Sequence, residues 1–158
     1  MSPADFRVRP TAEYVRAAVL DGLTADLPNA RIIDLFAGTG ALGLEALSRG
    51  ALKADFVEFR PASLHALRAN VATLRMRERT RIFKRDAVQF AAALDADSYD
   101  IAFVDPPYES RQLDRVLTSW NASGFSRILV AEHARTHDLP PGASRRVFDE
   151  TAITIYRR

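Results

Sequence analysis

Ile32-Ile33-Asp34-Leu35-Phe36-Ala37-Gly38-Thr39-Gly40-Ala41-Leu42-Gly43 passes from an apolar run, through a glycine-spaced turn, into a helical pattern. The run Ile32 to Phe36 reads as a buried strand, Ala37 to Gly40 as the turn that closes it, and Ala41 to Arg49 as a helix with Gly50 as its C-terminal cap. The same alternation recurs outward. Ala54 to Phe59 is a second strand, and Pro61 starts a helix carrying Leu64, Leu67, Val71 and Leu74 at helical spacing. Arg81 to Lys84 is a third strand, followed by a helix over Ala87 to Leu94. Ile101 to Val104 is a fourth strand, Leu113, Val116, Leu117 and Trp120 mark another helix, and Ile128 to Ala131 a fifth strand. Near the end, Arg145 to Phe148 and Ala152 to Tyr156 read as an antiparallel pair around Asp149-Glu150-Thr151. Upstream, Val15, Ala18, Val19 and Leu23 mark an opening helix with Thr11 as N-cap. This order predicts an α/β, Rossmann-like fold: a mostly parallel sheet with helices on both faces and an antiparallel C-terminal hairpin. Such sheets bind ligands at the carboxyl ends of their strands.

The 158 residues suffice for one domain, expected over 1–158, with an opening segment and helix at 1–30 and a catalytic core at 31–158. There is no cysteine, which removes disulfides, thiolate metal sites and a cysteine nucleophile together. His65, His133 and His137 are scattered, so no metal is expected. No apolar run approaches the ~20 residues of a membrane helix, and Met1 to Asp5 lack a secretory pattern, so a cytoplasmic protein without membrane partners is expected. The net charge is only +2, yet all basic residues but Lys53 and Lys84 are arginine. The planar guanidinium suits phosphate and guanine edges, which leans toward nucleic acid.

Gly38, Gly40 and Gly43 match G-x-G-x-x-G between a strand and a helix, a pattern that lets a ligand approach the backbone. Glu58 follows twenty residues after Gly38. A carboxylate at the end of the second strand can accept from both ribose hydroxyls of a nucleoside cofactor. A dinucleotide and S-adenosylmethionine both fit so far. A dinucleotide sets a pyrophosphate on the helix N-terminus, whereas Asp34, just before the turn, better suits the cationic sulfonium ligand. The cofactor site is expected to draw on Asp34 and on Phe36, Ala37, Gly38, Thr39 and Gly40 of the turn. Glu58 would take the ribose, Asp86 with Ala87 after the third strand would take the adenine, and Asp105 would complete the site.

Asp105-Pro106-Pro107-Tyr108 supplies the chemistry. An exocyclic base amine is a poor nucleophile because its lone pair is delocalised into the ring. Two acceptors on its N–H bonds, the Asp105 carboxylate and the Pro106 carbonyl, favour a pyramidal nitrogen. Pro106 and Pro107 hold that carbonyl in place in advance. Tyr108 offers a face for the base, a contact worth ~1–3 kcal/mol. A dehydrogenase would need a proton donor or acceptor near its nicotinamide, and this tetrapeptide has none of the usual kind.

The run from Asp34 to Ala51 resembles the first motif of the bacterial 16S ribosomal RNA guanine-N2 methyltransferases, the RsmD-like family. Arg9-Pro10-Thr11 with Val15-Arg16 resembles its opening segment, Val104 to Tyr108 its catalytic strand end, and Ile153 to Arg158 its final strand. The resemblance implies the seven-stranded class I methyltransferase sheet, S-adenosylmethionine as cofactor, and methylation of N2 of the guanine at nucleotide 966 of 16S rRNA, within a partly assembled small subunit. It implies RNA contacts at Arg7, Arg9, Thr11 and Arg16, and a monomer is expected. Family members usually carry a further basic, Gly-containing segment before the Arg-Pro-Thr stretch, where only Met1 to Val8 stand here, a departure that bears on how the chain grips RNA. The alternatives are a DNA adenine-N6 or cytosine-N4 methyltransferase, for which the short chain offers little room, and a non-catalytic nucleic-acid-binding module retaining the fold. Among secondary features, the basic run Arg75, Arg77, Arg79, Arg81, Lys84 and Arg85 reads as a solvated turn and strand edge. Glu132 with His133 reads as a strand-end surface pair, and Trp120 as core.

Overall fold

A computed structural model describes residues 12–108 and 110–158. The predicted Thr11 cap and the candidate RNA contacts Arg7, Arg9 and Thr11 lie outside the described residues. Seven strands, β1 (Arg31–Leu35), β2 (Lys53–Val57), β3 (Thr80–Phe83), β4 (Tyr99–Val104), β5 (Ser126–Ala134), β6 (Ser144–Phe148) and β7 (Thr151–Arg157), form one sheet in the order β3-β2-β1-β4-β5-β7-β6. β1 to β5 are parallel, and β7 runs antiparallel to both β5 and β6. The helices are α1 (Glu13–Asp21), α2 (Ala41–Ser48), α3 (Pro61–Thr73), α4 (Ala87–Ala92) and α5 (Gln112–Ser123). None of them is long and apolar enough to cross a membrane.

Strand alternation divides the core. Ile32, Phe56, Ile101, Phe103, Ile128 and Val130 face α1, α2 and α3 through Val15, Leu44, Leu47, Leu67 and Val71. Ile33, Val57, Ala102, Val104, Leu129 and Ala131 face α4 and α5 through Ala91, Leu113, Val116 and Trp120. Each fully buried large apolar side chain contributes roughly 1.5–3 kcal/mol. These near-continuous apolar strands are what burial on both faces requires.

Element ends differ from the sequence expectation for local reasons. Phe36 does not extend β1: it takes φ +61° and turns the chain out of the sheet, and the next amide, of Ala37, donates to the Val57 carbonyl. β2 stops at Val57 because the Glu58 carboxylate draws in the amides of Phe59 and Arg60. Asp86, beyond β3, is the N-cap of α4 and accepts from the Gln89 amide at 3.1 Å. β5 runs on to Ala134 because β7 supplies antiparallel partners that far. Arg49 is the C-cap of α2, and Gly50 follows it at φ +107°.

One feature read as surface proves structural. His133 is buried, with ring nitrogens at 2.8 Å from both the Ala134 carbonyl and the Thr154 hydroxyl, because β7 covers it. The basic run lies exposed on a turn and edge strand, as expected; within it Arg79 donates to the carbonyls of Leu47 and Ala51, and Arg81 holds the buried Asp55 through two hydrogen bonds. Trp120 lies in the core, its Nε1 donating to the Ser126 carbonyl.

Candidate active site

Phe83, Val57, Leu35, Val104 and Ala131 lie in register across five parallel strands. The residues that leave this row form the site. Glu58 leaves β2, Phe36 leaves β1 and Asp105 leaves β4, on neighbouring strands ~4.8 Å apart. From β1 the sheet is built outward in both directions, with β2 on one side and β4 on the other. The loops after β1 and β4 therefore diverge, and a crevice opens between them, which is the switch point of a doubly wound sheet.

The glycine turn is held from three sides. The Gly38 amide donates to Glu58 Oε1 at 2.9 Å, and the amides of Phe59 and Arg60 donate to Oε2 at 2.9 Å each. Asn70, on α3, donates from Nδ2 to the Thr39 carbonyl at 3.0 Å. Beneath the turn the buried Asp34 accepts the Gly43 amide through Oδ2 at 3.3 Å. Burial holds the Asp34 carboxyl well above the usual carboxylate range. The Gly43 amide pulls it down, and the nearby Glu58 charge adds to the rise.

The three glycines do different work. At Gly43 an added Cβ would lie 2.6 Å from the Phe56 ring, so this glycine brings α2 onto β2. At Gly40, φ is +82° and a Cβ would run into the Leu67 side chain. At Gly38, φ is +58° and a Cβ would meet nothing within 4 Å. Space is open beside that backbone.

After β4 the chain is fastened twice. Ser110 Oγ donates to the Pro107 carbonyl at 2.8 Å, and the Tyr108 hydroxyl is hydrogen-bonded to that of Thr151 at the start of β7. Asp105 and Tyr108 are half-buried, and Pro106 is buried. The structure thus gathers Asp34, Phe36, Ala37, Gly38, Thr39, Gly40, Glu58 and Asp105 to Tyr108 at one end of the sheet. Asp86 and the buried Ala87 follow at the same end beyond β2, after β3. Arg16 lies on α1. Thr151, Ser110 and Asn70 belong to no motif; Ser110 closes a local turn onto Pro107, while the parts of Thr151 and Asn70 show only when distant segments meet. Among the described residues no cluster of His, Asp or Glu could hold a metal ion.

Residues 2–145 match the family described as "Conserved hypothetical protein 95". The Escherichia coli K12 protein named ribosomal RNA small subunit methyltransferase D is 36% identical over 160 residues, covering 96% of this chain and 80% of its own length. A solved structure of a hypothetical protein from Thermus thermophilus superposes with a TM-score of 0.84 at 31% identity, covering 100% of this chain and 92% of its own. An RNA methyltransferase from Salinibacter ruber, solved in complex with S-adenosyl-L-homocysteine, shares the fold at a TM-score of 0.70 and 13% identity, covering 94% of this chain and 93% of its own. By the family match and by its likeness to the Escherichia coli enzyme along nearly its whole length, the chain belongs to the family of ribosomal RNA small subunit methyltransferase D.

Proposed function

We propose that the chain transfers a methyl group from S-adenosylmethionine to the exocyclic N2 amine of a guanine in 16S ribosomal RNA. The observation that carries this reading is the departure of Asp105-Pro106-Pro107-Tyr108 from β4, one strand from the glycine turn that leaves β1. The name of the Escherichia coli relative supports the rRNA substrate, and the product-like ligand of the Salinibacter neighbour is in keeping with the cofactor.

The residues present fit that cofactor. The open space at Gly38 admits a ligand against the backbone. Glu58 commits three acceptor positions to amides, and a carboxylate offers about four, so it retains capacity for a ribose hydroxyl. Asp86 caps α4 through Oδ2, and its other oxygen would accept from the adenine amino group. S-adenosylmethionine, when bound, supplies an electrophilic methyl group.

The chain's own residues prepare the nucleophile. The Asp105 carboxylate and the Pro106 carbonyl each accept one N–H of the base amine, which draws the lone pair out of conjugation. Ser110 takes the next carbonyl, of Pro107, and so stiffens the segment without competing for that of Pro106. The Thr151 tether sets the Tyr108 ring as a stacking face. Little reorganisation is left for the moment of transfer, which proximity and alignment then govern.

The test is labelled methyl transfer to 16S rRNA from cells lacking the modification, followed by nucleoside analysis. Label in N2-methylguanosine is expected; label in N6-methyladenosine, in duplex DNA or in protein overturns the assignment. Asp105→Ala should lower turnover at least ~100-fold while S-adenosylmethionine affinity, read by calorimetry, is retained. An equal collapse of cofactor binding would show that Asp105 serves the cofactor rather than the base.

A further inference from the structure

Beyond the catalytic crevice, one surface combines an exposed tyrosine, a half-buried phenylalanine and an arginine. Tyr14, on α1, is 58% exposed. Its ring meets Phe148 edge-on, with centroids 6.2 Å apart and planes at 65°. The Arg146 guanidinium lies over the Phe148 ring, 4.9 Å from its centroid. Arg146 is exposed, on the edge strand of the sheet. Burying the Tyr14 ring would be favourable, yet the fold holds it outward, its phenol donating to Asp149 Oδ2 at 3.3 Å.

The surface is continuous with the catalytic loop. Phe148 and Thr151 are paired across the β6–β7 hairpin, and Thr151 holds the Tyr108 hydroxyl. Directly paired residues on antiparallel strands are ~5 Å apart. From the ring of Tyr108, the contacts thus lead through Thr151 to Phe148, which meets both Tyr14 and Arg146. The hairpin tip is also braced: the Arg135 amide donates to the Glu150 carbonyl at 2.9 Å, and Arg145 donates to the Arg135 carbonyl at 2.8 Å. A rigid aromatic platform loses little conformational freedom on binding.

Building on the methyltransferase reading, we infer that Tyr14, Phe148 and Arg146 form a platform for a single-stranded RNA nucleotide flanking the target base. Bases stack on aromatic rings whatever their sequence, and an arginine beside the rings adds a cation–π and phosphate contact. The acid at Asp149 disfavours a phosphate directly at Tyr14. The base therefore takes the tyrosine face, and the backbone runs on the Arg146 side. A base unstacked into the crevice leaves its neighbour exposed, and this platform receives it beside the catalytic loop.

The experiment measures filter binding of an unmodified 16S rRNA transcript to the full chain, with S-adenosylmethionine affinity measured alongside. The double variant Tyr14→Ala with Arg146→Ala should bind the transcript about ten-fold more weakly and keep cofactor affinity. Its KM for RNA should rise while kcat at saturating RNA holds. Tyr14→Phe keeps the ring and should retain transcript binding, which a role confined to the Asp149 hydrogen bond would not permit. Unchanged transcript binding by the folded double variant overturns the platform. So does weakened binding to assembled small subunits alone, which would make the surface a contact for ribosomal protein. A wild-type chain that neither binds nor methylates the transcript would overturn the underlying reading as well, and is told apart because no variant is needed to see it.

Discussion

At the residue scale, the glycines of one motif divide between packing and access. Gly43→Ala puts a methyl 2.6 Å from the Phe56 ring, against side chains already close-packed. It should cost ~1–3 kcal/mol of stability, seen as a lower unfolding temperature, while the folded fraction still binds S-adenosylmethionine. Gly38→Ala meets no neighbour, and its positive φ costs ~1–2 kcal/mol. Its methyl projects into the open space off the turn, where the proposed cofactor would lie against the backbone, so cofactor affinity should fall well beyond the loss of stability. Calorimetric titration of both variants checks the division; equal affinities would refute it. The G-x-G-x-x-G spacing is plain in the sequence. Which glycine packs and which admits a ligand depends on Phe56 and Leu67, residues of β2 and α3 that no local pattern ties to the turn.

At the scale of elements, the closing hairpin reaches into the site. Its strands are legible from their alternation, and their antiparallel direction from the short turn between them. Its contact with the Asp105–Tyr108 loop is not, because Tyr108 and Thr151 are 43 positions apart. Thr151→Val keeps the shape and removes the hydroxyl that holds the Tyr108 ring. A hydrogen bond of this kind is worth ~0.5–1.5 kcal/mol net, so kcat should fall roughly three- to ten-fold with S-adenosylmethionine affinity unchanged. An unaltered kcat in single-turnover measurements would mean that the tether does not orient the ring. The same hairpin is why Glu132 and His133 do not form the surface pair that their strand-end position suggests. β7 lies against β5 along its whole carboxyl half and buries the imidazole, and that desolvation lowers the His133 pKa.

At the scale of the whole molecule, the buried acid beneath the turn ties stability to pH. The folded chain keeps the Asp34 proton that the unfolded chain releases near 3.8. Its contribution to stability is therefore complete below that pH and is lost as pH rises through the raised folded value. Asp34→Asn has no proton to lose. The stability of wild type relative to this variant should decline steadily as pH rises above about 4 in denaturant unfolding. A difference that stays level across that range would place the carboxylate in solvent. His133 acts in the opposite sense: its folded pKa is lowered, so its contribution is full above about 6.5 and falls as pH drops below it.

The order of strands and helices, the parallel sheet with its reversed end, the glycine turn and the Asp105-Pro106-Pro107-Tyr108 segment are all readable along the chain. Each rests on hydrophobic period or on residues whose backbone preferences act locally. Tertiary packing made the rest: Asp34 buried under α2, Asp86 committed to a helix cap, Arg79 and Arg81 turned to structural work, and Thr151 set against Tyr108. These outcomes depend on which surfaces meet, and a carboxylate or guanidinium looks the same in sequence whether it faces water, a backbone amide or another strand.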